Sequence, residues 1–204
     1  MITTQKTDTS LLIDGPTGKL ELLMNETAAD LPWGIICHPH PLFGGTMHNK
    51  VVTTLAKTYQ TMGANTLRFN FRGVMRSEGQ FDQGVGELDD LLAIIDWLKP
   101  KTLWLAGFSF GAFIATKAAS QLDVKKLVTV APPVENFPMQ DLPAIQCPWV
   151  LVQGELDDVV NPQKVFAWAE TRNPKPIILR FPEAGHFFHG ALVELRTRII
   201  EAFV

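Results

Sequence analysis

Only two cysteines, Cys37 and Cys147, occur in 204 residues, and each lies in or beside an apolar run. Two thiols cannot build a disulfide framework, so free thiols in a reducing compartment are expected, with the cytoplasm as the default localisation. Basic residues are scarce and scattered: 18 Lys and Arg stand against 21 Asp and Glu, a net charge of −3, and a grouping such as Lys99 with Lys101 merely flanks a helix end. Such a chain lacks the electrostatic footprint of a nucleic-acid or anionic-membrane binder. No uninterrupted apolar stretch approaches the roughly 18–20 residues of a membrane helix, so no membrane partner is expected. The opening MITTQKTDTS is polar, which predicts no secretory leader. Repeats, low-complexity stretches and long linkers are also missing, and a single domain over residues 1–204 is the expectation.

What the chain does have is 46% apolar and 19% charged residues, a globular composition. From Ser10 to Asn25 two apolar runs flank Gly15-Pro16-Thr17-Gly18, which predicts an antiparallel hairpin. A second rhythm follows. Strand-like runs occur at 33–38, 64–71, 102–108, 126–131, 149–154 and 176–181. Segments of helical spacing lie at 47–62, 85–98, 110–121 and 191–203. Strand-helix alternation predicts an α/β fold with a mostly parallel sheet and helices on both faces. Chemistry in such sheets gathers at the carboxyl ends of the strands.

At one such end stands Gly107-Phe108-Ser109-Phe110-Gly111, directly before the helical AFIATKAAS. A serine between glycines on a strand-to-helix turn is the pattern of a raised nucleophile, with the Phe110 N–H at a helix N-terminus as a donor for a developing oxyanion. The plainer reading is a helix-capping serine in a tight turn. A hydroxyl nucleophile needs a base, usually a histidine oriented by a carboxylate. Further along, the strand-like run WVLVQG leads into Glu155-Leu156-Asp157-Asp158, and PIILRF leads into a loop with His186 and His189. Asp157 and His186 are favoured as acid and base. Asp158 is assigned to solvent or to capping a helix near Pro162, His189 to a cap or the surface, and Glu135 is the fallback acid.

The run IICHPHPLFGG, residues 35–45, ends the first parallel strand. Pro39 and Pro41 have no N–H, so a second oxyanion donor must come from His40, Leu42 or just beyond. The rival reading is a metal site of His38, His40 and His48 with Cys37. No acidic or thiol cluster completes that set, and packing of His38 under the loop is the better expectation. Neither a metal nor a cofactor is expected.

HPHPLFGGTMHNK, FNFRGVMRSEGQFDQGVGELDD, GFSFG, GELDDVV and EAGHFFHG together resemble the small, lid-poor bacterial α/β hydrolases related to dienelactone hydrolases and serine-aminopeptidase-like esterases. The resemblance runs from about residue 10 to the end. It implies a sheet of about eight strands, a Ser109–Asp157–His186 triad and esterase- or thioesterase-like chemistry on a small-molecule substrate. Dienelactone hydrolases proper use a cysteine nucleophile, so the serine argues against that activity. The resemblance also implies that Arg72 and Ser77 brace the loop after a strand, where a glycine often stands in place of Met75.

Residues 131–148 are too short and proline-rich for a helical cap, which predicts an open, shallow site suited to small or flexible acyl groups. Phe108, Phe110, Phe137, Phe187 and Phe188 are expected near its mouth, or in the core. A short-peptide hydrolase and a non-catalytic binding module are the alternatives, and oligomeric state is not legible.

Overall fold

A computed structural model of the protein describes residues 8–204; the first seven residues, where most of the polar opening lies, fall outside it. Eight strands form one sheet in the order β1-β2-β4-β3-β5-β6-β7-β8. The strands are β1 (Thr9–Gly15), β2 (Gly18–Asn25), β3 (Trp33–Cys37), β4 (Asn65–Phe69), β5 (Leu103–Phe108), β6 (Val124–Val130), β7 (Trp149–Gly154) and β8 (Ile177–Phe181). The expected hairpin is present: β1 and β2 pair antiparallel with Gly15 opposite Gly18, and β2 pairs antiparallel with β4. All remaining pairs are parallel.

Five helices cover the sheet: α1 (Lys50–Thr61), α2 (Gly86–Leu98), α3 (Phe110–Ala119), α4 (Pro162–Glu170) and α5 (Leu192–Glu201). Strand alternation divides the core between two faces. Ile35, Leu105, Leu127 and Leu151 meet α2, α3 and α4 on one side. Ile36, Trp104, Ala106, Val128 and Val150 meet α1 and α5 on the other. The central strands β3, β5 and β7 are buried along their whole length, as strands covered on both faces must be.

Local chemistry sets the element ends. Helix α1 starts at Lys50 rather than 47 because the Asn49 side chain accepts the Val51 N–H and caps it. Strand β6 begins at Val124, before the apolar run starts. Its lysines need not be solvated along their stems: Lys126 Nζ lies 4.3 Å from the Phe203 ring centroid and 5.4 Å from that of Trp104.

The β4–α2 connection is braced as expected at Arg72 and Ser77. Arg72 holds buried Asp90 through both guanidinium and backbone N–H, the closest contact being 2.7 Å. Ser77 Oγ donates to Asn70 O at 2.6 Å and accepts the Glu21 N–H at 2.9 Å. Met75 sits at φ 49 with its side chain exposed, a left-handed backbone that explains why glycine suits this position. Between β6 and β7, residues 131–148 form no helix. They turn Val134, Met139 and Ile145 into the core, so no cap domain covers the sheet edge. Both cysteines are free; Cys37 is buried and Cys147 half-buried, and burial pushes the Cys147 thiol up to about 11. Among the described residues no helix is long and apolar enough to cross a membrane.

Candidate active site

Strand β5 delivers Ser109 to the sheet edge at φ 53 and ψ −120, a conformation costly for a residue with a side chain. Neighbouring structure holds it there. The Ser109 N–H donates to Val130 O at the end of β6, and Ser109 O accepts the Ala112 N–H, each at 2.8 Å. The flanking glycines permit two close backbone approaches. A Cβ on Gly107 would lie 2.1 Å from Gly111 O, and one on Gly111 would lie 2.3 Å from Cys37 O. Ser109 retains 9% exposure. Its hydroxyl makes no hydrogen bond among the described residues, since α3 takes no side-chain cap from it. The capping reading of Ser109 therefore fails.

Strand β7 leads to Asp157, a buried carboxylate with four donors. Oδ1 accepts the N–H groups of Val159 (2.9 Å) and Val160 (2.8 Å). Oδ2 accepts His186 Nδ1 (2.8 Å) and Gln153 Nε2 (3.1 Å). Burial pushes the Asp157 pKa up. The hydrogen bond from His186, the Val160 amide, the imidazole charge and the Val159 amide outweigh it and hold the carboxyl below its ordinary 3.8. Asp157 is thus ionised at neutral pH.

Strand β8 leads to the loop of His186. That loop is fastened to the acid's loop by the Leu156 N–H on Ala184 O, at 3.1 Å, and anchored by fully buried Phe188. His186 is buried, and its ring packs 4.9 Å from that of Phe108, the residue before Ser109. Because an ionised carboxylate only accepts, the proton of this hydrogen bond sits on Nδ1, and in the neutral imidazole the lone pair then belongs to Nε2. No hydrogen bond joins that nitrogen to the Ser109 hydroxyl in this structure. Contacts of this kind commonly tighten only when substrate is bound.

The other acidic and basic candidates stand elsewhere. Asp158 is exposed, and the helix near Pro162 is capped by Asn161 instead. Glu135 pairs with Lys164. His189 is exposed, and α5 takes no side-chain cap at all.

The Phe110 N–H, first amide of α3, has no carbonyl a turn back to bond and no acceptor elsewhere among the described residues. Of the two candidates in the HPHP segment, Leu42 is corrected. Its N–H donates to His40 Nδ1 at 3.2 Å, a local cap over the 3₁₀ turn Pro41–Phe43, so that amide is spent. The His40 N–H has no acceptor among the described residues. The metal grouping does not assemble: His48 is exposed, both ring nitrogens of His38 are engaged, and no three His, Cys, Asp or Glu among the described residues are placed to share an ion. Phe108, Phe110 and Phe188 prove fully buried, and Phe187 is exposed beside His186. The sequence reading missed Gln153; its signal was an amide in an otherwise apolar buried strand.

A strained serine at the end of the central parallel strand β5, with an aspartate after β7 hydrogen-bonded to a histidine after β8, is the architecture of an α/β hydrolase. The chain belongs to the alpha/beta hydrolase domain family, whose pattern matches residues 43–190. It is similar to an alpha-beta serine hydrolase homologue from Coxiella burnetii, 44% identical with a TM-score of 0.92, covering 98% of this chain and 99% of that one. A Xanthomonas campestris protein described as an a/b serine hydrolase without lid is 40% identical, with a TM-score of 0.89 over 97% of this chain and 94% of that one. An uncharacterized protein of Rickettsia prowazekii is 35% identical over 165 residues, 76% of this chain and 69% of its own length. This protein is therefore an α/β hydrolase of the small, lid-poor branch.

Proposed function

We propose that the protein hydrolyses small carboxylic esters or thioesters through an acyl-enzyme on Ser109. The observation that carries this reading is the buried, ionised Asp157 hydrogen-bonded to His186, whose ring packs against the residue before a strained serine. In the first half-reaction His186 Nε2 takes the Ser109 proton as Oγ attacks the substrate carbonyl. The resulting oxyanion is met by the N–H groups of Phe110 and His40. Collapse expels the alcohol or thiol, which takes the proton back from His186. In the second half-reaction Nε2 deprotonates a water that attacks the acyl carbon; Oγ leaves with that proton and the acid is released. Asp157 stays ionised and holds the imidazole in one tautomer.

The substrate side of the site supports a small, apolar acyl group. Leu42 (68% exposed), Phe43 (85%) and Phe187 (46%), with Leu156 and Val159, stand on loops after β3, β7 and β8 without a cap above them. We place this activity in the cytoplasm, on a small-molecule substrate. A fluorophosphonate probe tests the reading. Wild-type protein is expected to label and Ser109→Ala not to; folded wild type that refuses the probe turns the reading over to a binding module.

A further inference from the structure

His38 is fully buried, yet the reaction above gives it no proton to carry. Both of its ring nitrogens are nevertheless engaged. Nδ1 lies 2.6 Å from Pro39 O, and Nε2 lies 3.0 Å from the Phe71 N. A carbonyl oxygen can only accept and an amide N–H can only donate, so Nδ1 bears the proton and Nε2 the lone pair. Burial keeps the ring in that single neutral form by pushing its pKa down to about 4, against the opposing pull of the Pro39 carbonyl.

The mechanical consequence falls on the peptide joining Pro39 to His40. A trans peptide is planar, and its C=O and N–H point in opposite directions. Fixing the Pro39 oxygen therefore fixes the direction of the His40 N–H. The oxygen is confined from a second side by Gly45, where an added Cβ would lie 2.0 Å from it. The next peptide is held as well, because His40 O accepts the N–H groups of Phe43 and Gly45, both at 3.1 Å. This loop abuts the nucleophile helix: a Cβ on Gly111 would lie 2.5 Å from His38 O. Its outward amide, the His40 N–H, is the one left without an acceptor among the described residues.

We infer that His38 is a positioning residue: the Nδ1–H clamp on the Pro39 carbonyl aims the His40 N–H at the substrate oxyanion, while Nε2 ties the same loop to the exit of β4 at Phe71. The inference rests on the esterase reading above and adds a residue that touches neither substrate nor reacting atoms. It also separates the two nitrogens by role, since only the Nδ1 contact sets the donor's direction.

Two substitutions divide these roles. An asparagine amide can replace the Nδ1 donor and cannot reach Phe71; a glutamine amide can replace the Nε2 acceptor and reaches past Pro39. On p-nitrophenyl acetate, His38→Asn is expected to keep kcat within about ten-fold of wild type. His38→Gln is expected to lose about 10²–10³-fold in kcat with KM little changed, the scale of one missing oxyanion donor. Thermal midpoints are measured on both. Equal kcat in the two variants, or activity that follows the midpoints instead of the Asn/Gln split, overturns the inference. If His38→Gln fails to fold, Gly45→Ala displaces the same carbonyl from its other side, and a folded Gly45→Ala with wild-type kcat overturns it too. Wild type that does not label with fluorophosphonate removes the esterase reading and this inference with it; labelled wild type without the split removes the inference alone.

Discussion

Ser109 carries a backbone strain that no core contact requires, at φ 53 and ψ −120. Strain of this type costs on the order of 1–3 kcal/mol and persists where the surroundings over-determine it. Ser109→Gly should therefore unfold at a higher temperature than Ser109→Ala, although both lack the nucleophile; equal or reversed midpoints would show that the turn is relaxed. His38 makes a second prediction at this scale. Its pKa falls from an ordinary 6.5 in the unfolded chain to about 4 in the folded one. Below pH 6.5 the unfolded chain takes up a proton that the folded chain refuses. The stability contributed is complete above pH 6.5 and is lost as the pH falls to about 4, a change of about 3 kcal/mol. Burial lowers the His40 pKa as well, so that residue adds to the slope in the same direction. Urea unfolding at pH 7, 5 and 4 should show a shallower loss for His38→Asn than for wild type, and parallel losses would sink the assignment. Single residues were also where the sequence was least informative. Asp157 and His186 were legible because each follows a strand in the right order. The spent amide of Leu42 was not, since it depends on which way the His40 ring turns. Nor was Gln153, whose Nε2 shares Asp157 Oδ2 with His186 and whose Oε1 is buried without a partner.

At the scale of elements, the turn from β5 into α3 works only because two backbones meet without side chains between them. A methyl group on Gly111 would press on the carbonyls of Cys37 and His38, 2.3 and 2.5 Å away, and neither backbone can yield without moving a central strand. Gly111→Ala is expected to cost at least about 2 kcal/mol, in the range of overpacked cores, and to lower activity in whatever fraction still folds. A chemical-denaturation midpoint equal to wild type would contradict the close approach. Element type was largely readable from the sequence. Apolar runs marked the eight strands, because the central ones are covered on both faces and must be apolar throughout; helical spacing marked four of the five helices, and α4 was anticipated only as a helix near Pro162. Element ends were less readable. They turn on capping at Asn49 and Asn161 and on lysine stems lying along aromatic rings at β6. The structural loop at Arg72 was anticipated as a brace, but the buried Asp90 that completes it could be found only once α2 was placed beside the loop that leaves β4.

For the whole molecule, sheet order brings together three loops that leave β5, β7 and β8 far apart in the chain. That convergence could be expected from Ser, Asp and His in succession after strands; the strand order that realises it, with β3 between β4 and β5, could not be read from spacing alone. The absence of a cap makes a prediction about substrates. Across p-nitrophenyl esters of rising acyl length, kcat/KM should be highest for short chains and fall as the chain outgrows the exposed collar of Leu42, Phe43 and Phe187. A sharp optimum at long chains would require an enclosing surface that this fold does not possess.

The inward-turned segment between β6 and β7 also has a kinetic meaning. With no gate to swing aside, nothing in the catalyst can be switched on by an oil–water boundary. Velocity plotted against substrate should rise and level off smoothly straight through the solubility limit, where droplets or micelles first form.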